Sequence, residues 1–345
     1  MMNHFDFARA TLLVMALGFA CVLGPGPGFA QSDTAPFALA LPLDCVPGES
    51  CWIANYVDVD PEKGASDYTC GGLSYDTHKG VDFAIADVAT MDRGVSVLAA
   101  APGLVVGVRD GMADVSIRDG DPDLVKGKEC GNGVGVTGPD GWFMQYCHLM
   151  RGSIAVKKGD RIETGQVLGL VGLSGRTEFP HVHLQVMKDR KVVDPFVGLG
   201  RKAKCGLGSA PLWRADVLAK LPYQPAKIYI AGFAGTRPTE DGARKGRYRA
   251  ETLSVLAPAL VFWADIFGPR KGDELVFRID GPNGKKVVQT PATLKKDSAR
   301  RFVHIALKRP GPVWPKGVYV GEMRLNGKGA GEAGELVVRR EVTLR

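Results

Sequence analysis

This chain has little helical periodicity and few histidines. No long stretch repeats its apolar residues at the 3.6-residue spacing of an amphipathic helix, which argues against a helical bundle. No run beyond residue 24 is long and apolar enough to cross a bilayer as a helix. Internal repeats and low-complexity tracts are missing, so repeat architectures drop out. The glycine-rich stretches "CGNGVGV" and "GLVGLSG" lack the Lys-Ser/Thr ending of a phosphate loop and read as turns around a groove floor. What is abundant points elsewhere: 45 Gly and 22 Pro among 345 residues favour many turns and a β-rich fold. The length allows two domains, and 45% hydrophobic with 23% charged residues is ordinary for a soluble protein.

The N-terminus reads as a secretory signal over residues 1–30. Arg9 precedes an apolar run from Thr11 to Gly24; Pro25 and Pro27 follow, and small Gly28 and Ala30 suit cleavage after Ala30. An uncleaved anchor is the alternative, but the run is shorter than the roughly 20 residues that span a bilayer. Gly18-Phe19-Ala20 before Cys21 makes a poor lipoprotein signal. Cleavage leaves six cysteines, an even number that in an exported chain implies disulfides, with 15 pairings open. The expected set is Cys45–Cys51, Cys130–Cys147 and Cys70–Cys205. Only the second has a geometric basis: "GVGVTG-PDG-WFMQY" reads as a hairpin that brings residues 130 and 147 together.

Net charge is +7, divided unevenly. Residues 1–205 carry 19 Lys+Arg against 24 Asp+Glu, net −5; residues 206–345 carry 25 against 13, net +12. The asymmetry points to two domains with different partners. Outside the cytoplasm the basic half would meet anionic wall polymers or phospholipid heads rather than nucleic acid; a solvated basic surface is the plainer alternative. Oligomeric state has no signature. Residues 31–77 read as a leader, loose to 44, and a disulfide-tied extension. Residues 78–196 are short strands between glycine turns, and 197–222 a linker with one short helix, "LWRADVLAKL". In 223–345 about seven strand-like segments at regular spacing fit an immunoglobulin-like β-sandwich.

Four of the six histidines fall at three places in the 78–196 segment. "THKGVDFAI" holds His78 and Asp82; its alternation makes it a loop entering a strand, with Val81 and Phe83 inward and Asp82 on the other face. A carboxylate in so apolar a strand needs a partner, and a metal would supply one. "PHVHLQV" places His181 and His183 on one face of a strand, with Val182, Leu184 and Val186 on the buried face. "QYCHL" ends a strand at His148. Two histidines and one carboxylate make a sound Zn²⁺ ligand set that leaves a fourth position open for water, the mark of a catalytic site. Two further histidines remain for proton transfer and oxyanion stabilisation. Taken singly, a His-x-His pair is more often two satisfied histidines, and His304 reads as a structural sandwich residue.

"HKGVDF", "YCHL" and "GLSGRTEFPHVHLQV", with "VLAAAPGLVVGV" and "VKKGDRIETGQVLGLVG", resemble the lysostaphin/LytM-type peptidoglycan zinc metallopeptidases over roughly residues 70–196. The resemblance implies a mainly β fold with an antiparallel β-sheet peptidase domain (the duplicated hybrid motif). It implies one zinc ion held by His78, Asp82 and His183, with His148 and His181 as the catalytic pair. It also implies a zinc-dependent endopeptidase that cuts peptide bonds of peptidoglycan stems or crosslinks. Gln185 stands where the family commonly has an acidic residue. The cysteines and the sandwich lie outside the common core and resemble a periplasmic proteobacterial subgroup. Two other classes are weighed. A Cys–His peptidase using Cys147 conflicts with the even cysteine count, and strand alternation would send Cys147 and His148 to opposite faces. A catalytically silent wall-binding module or activator would lack some of the five His/Asp positions, and all five are present.

Overall fold

Eighteen strands, three α-helices of four or five residues and four short 3-10 helices make up the regular structure of the described residues, 36–200 and 205–345 of a computed structural model. The expected signal and its cleavage point, His4, residues 31–35 and residues 201–204 lie outside the described residues. The fold is mainly β, as the turn-rich composition predicts.

The N-terminal half contributes β1 (Cys51–Asn55), β2 (Val81–Ile85), β3 (Ser96–Leu98), β4 (Gly103–Arg109), β5 (Asn132–Thr137), β6 (Trp142–Leu149), β7 (Arg161–Ile162), β8 (Val167–Leu170), β9 (His181–Lys188) and β10 (Lys191–Val192). Eight of them form an antiparallel sheet in the order β1-β2-β9-β6-β5-β4-β7, with β10 hairpinned onto β9; β3 and β8 pair separately. Side chains alternate between the two faces of a strand. Val81 and Phe83 of β2, Val182, Leu184 and Val186 of β9, and Met144 and Tyr146 of β6 are all buried. Each large apolar side chain buried in this way contributes about 1.5–3 kcal/mol. The opposite face receives Asp82, His181 and His183. Register fixes their neighbours: Asp82 lies opposite His183, and Ala84 opposite His181.

Two expectations change. Residues 36–44 are not loose: Leu39 and Leu43 are buried in the core, and Leu39 bonds through its main chain to Leu212 and Arg214. The alternation Leu39-Leu41-Leu43 supplies an apolar edge that outweighs the flanking prolines. The helix expected over 212–221 shrinks to one turn, α2 (Ala215–Leu218), while Leu212, Trp213, Val217 and Leu221 all pack into the core of the first sheet. The sheet also takes its edge strand β1 from residues ahead of 78. The three disulfides are Cys45–Cys51, Cys70–Cys205 and Cys130–Cys147, the expected set.

The C-terminal half folds as two sheets over one core. Its strands are β11 (Lys227–Ala234), β12 (Thr252–Leu253), β13 (Ala259–Phe267), β14 (Glu274–Asp280), β15 (Lys286–Thr293), β16 (Arg300–Lys308), β17 (Gly317–Asn326) and β18 (Glu335–Leu344). The orders are β11-β13-β16 and β12-β18-β17-β14-β15, with Phe262, Ile266, Leu275, Ile279, Met323 and Leu325 buried between. The immunoglobulin-like label rests on strand spacing alone; the sandwich is what the strands form. Both halves belong to one compact unit, 37–345. A third apolar cluster joins them: Trp52 and Ala84 of the first sheet with Tyr229, Trp263 and Phe267 of the sandwich.

Candidate metal centre

Asp82 sits at the centre of the polar face, 2% exposed. Its Oδ2 accepts from Asn55 Nδ2 at 2.9 Å, which leaves Oδ1 facing three imidazoles. His183 Nδ1 lies 2.8 Å from Oδ1, His78 Nε2 3.1 Å and His181 Nε2 3.5 Å. His78 Nε2 and His183 Nδ1 are themselves 3.1 Å apart. His78, Asp82 and His183 thus converge on one point, each offering one ligand atom.

Main-chain carbonyls set the ring tautomers, because a carbonyl can only accept. His78 Nδ1 donates to the Tyr56 carbonyl at 2.6 Å, His148 Nδ1 to that of Ser174 at 2.7 Å, and His181 Nδ1 to that of Phe179 at 2.9 Å. Each therefore carries its proton on Nδ1 and, when neutral, keeps the Nε2 lone pair free. The His148 and His181 rings lie tilted against each other at 4.7 Å between centroids, and His148 is 6.1 Å from His183.

His148 reaches this face through an unusual backbone. In a regular strand Cys147 and His148 would point to opposite faces. Cys147 lies opposite His183, on the site's side. A left-handed conformation at His148 (φ 64°) breaks the alternation and turns its ring toward the same side. Its N–H donates to the Cys130 carbonyl, beside the Cys130–Cys147 bond. The alternation expected at Cys147-His148 therefore fails, while the disulfide still leaves Cys147 without a free thiol.

Burial disfavours charge on the His78, His148 and His183 rings, and Asp82 favours it. At His148 burial is the largest influence, and with His181 and His183 nearby it holds the ring well below the ordinary histidine value. At His183 burial also prevails and lowers the value. At His78 burial pulls down, but the charge of Asp82 and its hydrogen bond outweigh it and the ring is raised. Burial would raise Asp82; the His78 and His181 rings hold it well below the carboxylate range. His78 and His183, two of the rings facing that carboxylate oxygen, thus move in opposite directions. Two nitrogens 3.1 Å apart need one proton or one cation between them. With His78 Nδ1 already donating to a carbonyl, the centre is a set of lone pairs awaiting a positive charge. That chemistry fits a divalent ion. Gly80 keeps the space open: a Cβ there would stand 2.6 Å from the His183 ring.

All five residues singled out in the sequence, His78, Asp82, His148, His181 and His183, meet here. Asn55, Gly80 as a spacer, and the carbonyls of Tyr56, Ser174 and Phe179 were not singled out. Gly80 lies inside "HKGVDF"; the carbonyls leave no trace in a sequence. Gln185 lies two residues beyond His183 on the same face, opposite Gln145 of β6. His304 lies apart, on β16 opposite Trp263.

Residues 76–195 match peptidase family M23. The glycyl-glycine endopeptidase ALE-1 of Staphylococcus capitis is 41% identical over 58 residues, 16% of each chain. An uncharacterized metalloprotease of Buchnera aphidicola is 25% identical over 118 residues, 34% of this chain and 25% of the relative. The matches thus span a quarter or less of these relatives. Among solved structures, the catalytic domain of a point mutant of the prophage-encoded M23 protein EnpA from Enterococcus faecalis aligns at 26% identity. It covers 46% of this chain and 95% of that one, with a TM-score of 0.31. The family match stops at 195, ahead of the sandwich. Over residues 76–195 the chain is thus similar to the domains of peptidase family M23.

Proposed function

We propose that this protein is an exported zinc endopeptidase that hydrolyses peptide bonds in the stems or crosslinks of peptidoglycan. The observation that carries the reading is the convergence of His78 Nε2, Asp82 Oδ1 and His183 Nδ1 inside the segment that matches the family. These three atoms would hold the ion. Bound there, zinc would act as a Lewis acid and lower the pKa of coordinated water to about 7.

The chain's own part is orientation and proton movement. Asn55 holds Asp82 so that one oxygen faces the rings. His148 and His181, pinned at Nδ1, present Nε2 to the site. In the neutral form either can take the proton of an attacking water; once protonated, either can donate to the oxyanion or the leaving amine. Burial of the carboxylate and rings excludes bulk water and strengthens these contacts. Three disulfides support export to an oxidising compartment, as does the N-terminal apolar segment. The net +12 of residues 206–345 supports contact of the sandwich with anionic wall or membrane components.

Purified zinc-loaded protein should release soluble muropeptides from sacculi, read by mass analysis, and His183→Ala should lose metal and release together. A zinc-loaded protein that binds sacculi and releases nothing would instead be a silent module or an activator of another hydrolase.

A further inference from the structure

We propose that the C-terminal sandwich is part of the catalytic apparatus, with Arg300 acting as a positioning residue for His181 through the ring of Phe179. The inference rests on the reading that His181 handles a proton in the reaction.

It starts from an anomaly. Arg300 opens β16, opposite Phe267, and its side chain is 8% exposed. Two of its nitrogens, Nε and Nη1, are buried without a hydrogen-bond partner. Leaving charged donors unsatisfied is costly, and sandwich stability alone does not require it. Its third nitrogen donates to the Tyr229 hydroxyl and stands 3.7 Å from Asp265. What offsets the cost is aromatic: the guanidinium lies 4.9 Å from the Phe267 ring centroid, 5.3 Å from that of Tyr229 and 5.4 Å from that of Phe179. Desolvated contacts of this kind are the stronger ones between a cation and a ring.

Phe179 is the odd member of this group. Tyr229 and Phe267 belong to the sandwich, whereas Phe179 sits two residues before His181. Its ring packs edge-on against Phe267 at 5.1 Å and, tilted, against the His181 ring at 4.8 Å. Its carbonyl accepts from His181 Nδ1 at 2.9 Å and from the Thr177 hydroxyl at 2.8 Å. The residue gripped by Arg300 and Phe267 is therefore the one whose main chain fixes the His181 tautomer and aims Nε2 at the centre. Beside this grip lies a cavity of about 340 Å³ that Phe179, Pro180, Arg118 and Arg300 help to line. Close packing does not buttress Phe179 on that side, so its position depends on the clamp.

The full chain tests this with three variants. Phe179→Leu removes the ring while leaving the sandwich interior intact. Arg300→Lys keeps the charge and loses the planar stacking surface. Arg249→Ala cuts a different contact between the halves, the ion pair with Asp87. The expected result is that Phe179→Leu and Arg300→Lys keep one zinc per chain and the wild-type KM but lose about ten- to a hundredfold in kcat, the scale of a small misplacement. Their His181 side-chain ¹⁵N resonances should leave the pure Nδ1–H tautomer pattern, which six histidines make traceable. Arg249→Ala should match the wild type in both readouts. Wild-type kcat and tautomer pattern in both clamp variants overturns the proposal, and so does an equal loss in Arg249→Ala, which would mark general loosening. If the wild type releases no muropeptides, the peptidase reading fails by itself, and the resonances still decide whether Arg300 sets the His181 ring.

Discussion

Asp82 is treated differently from the buried acids of the sandwich. In the sandwich each has its partners built into the fold. Asp265 meets Arg244 at 2.8 Å, Arg300 and the Tyr229 hydroxyl. Glu322 is flanked by Arg324 and Arg339. Asp273 accepts main-chain N–H groups of Arg270 and Gly329. Around Asp82 the partners are an amide and three imidazoles, none a permanent cation. A carboxylate with a fixed counterion is structural; one surrounded by neutral lone pairs is prepared for a visiting cation.

That contrast can be broken at several points. The largest effect is expected at Asp82→Asn, which keeps the shape and removes the charge. Zinc should be absent by metal analysis and muropeptide release should fall about a thousandfold or more, the scale of a lost Lewis acid. A variant that kept full zinc would erase the distinction. Next come His148→Ala and His181→Ala, which should keep zinc yet lose about 10²- to 10⁴-fold in kcat; stripped metal in either would make that ring a ligand and reassign the site. Asn55→Ala frees one oxygen of Asp82, so competition with a chelator should show zinc affinity weaker by about ten- to a hundredfold. The smallest effect belongs to the sandwich. Glu322→Gln should lower Tm by only a few degrees, because its partners Arg324 and Arg339 are 37% and 67% exposed and solvent-facing pairs contribute at most about 1 kcal/mol each. Its zinc content should stay at the wild-type level.

The site's side chains were legible because metal chemistry restricts residue types, and strand alternation assigns them to one face. "HKGVDF" and "HVHLQV" carry both kinds of information. The rest was hidden for definable reasons. Tyr56, Ser174 and Phe179 act through carbonyls, which every residue has. His148 depends on a left-handed backbone that its own residue type does not announce, so alternation misplaced it. Asn55 belongs to a strand that lies ahead of the matched segment, and only the β1–β2 pairing brings it to Asp82. Leu39 and Leu43 carry a signal of another kind, an apolar alternation set among prolines that read as a loose segment. Arg300 could not have been found at all, since its partner Phe179 is far away in the chain and in the other half.

Cys70 and Cys205 bracket the whole family-matched segment, 76–195. Their bond therefore turns that segment into a covalent ring closed on itself. One backbone cut anywhere inside the ring leaves a single molecule, with His78 and His183 still tethered to the same scaffold. A nicked molecule would thus keep both parts of its centre together, and only reducing conditions would let the pieces part.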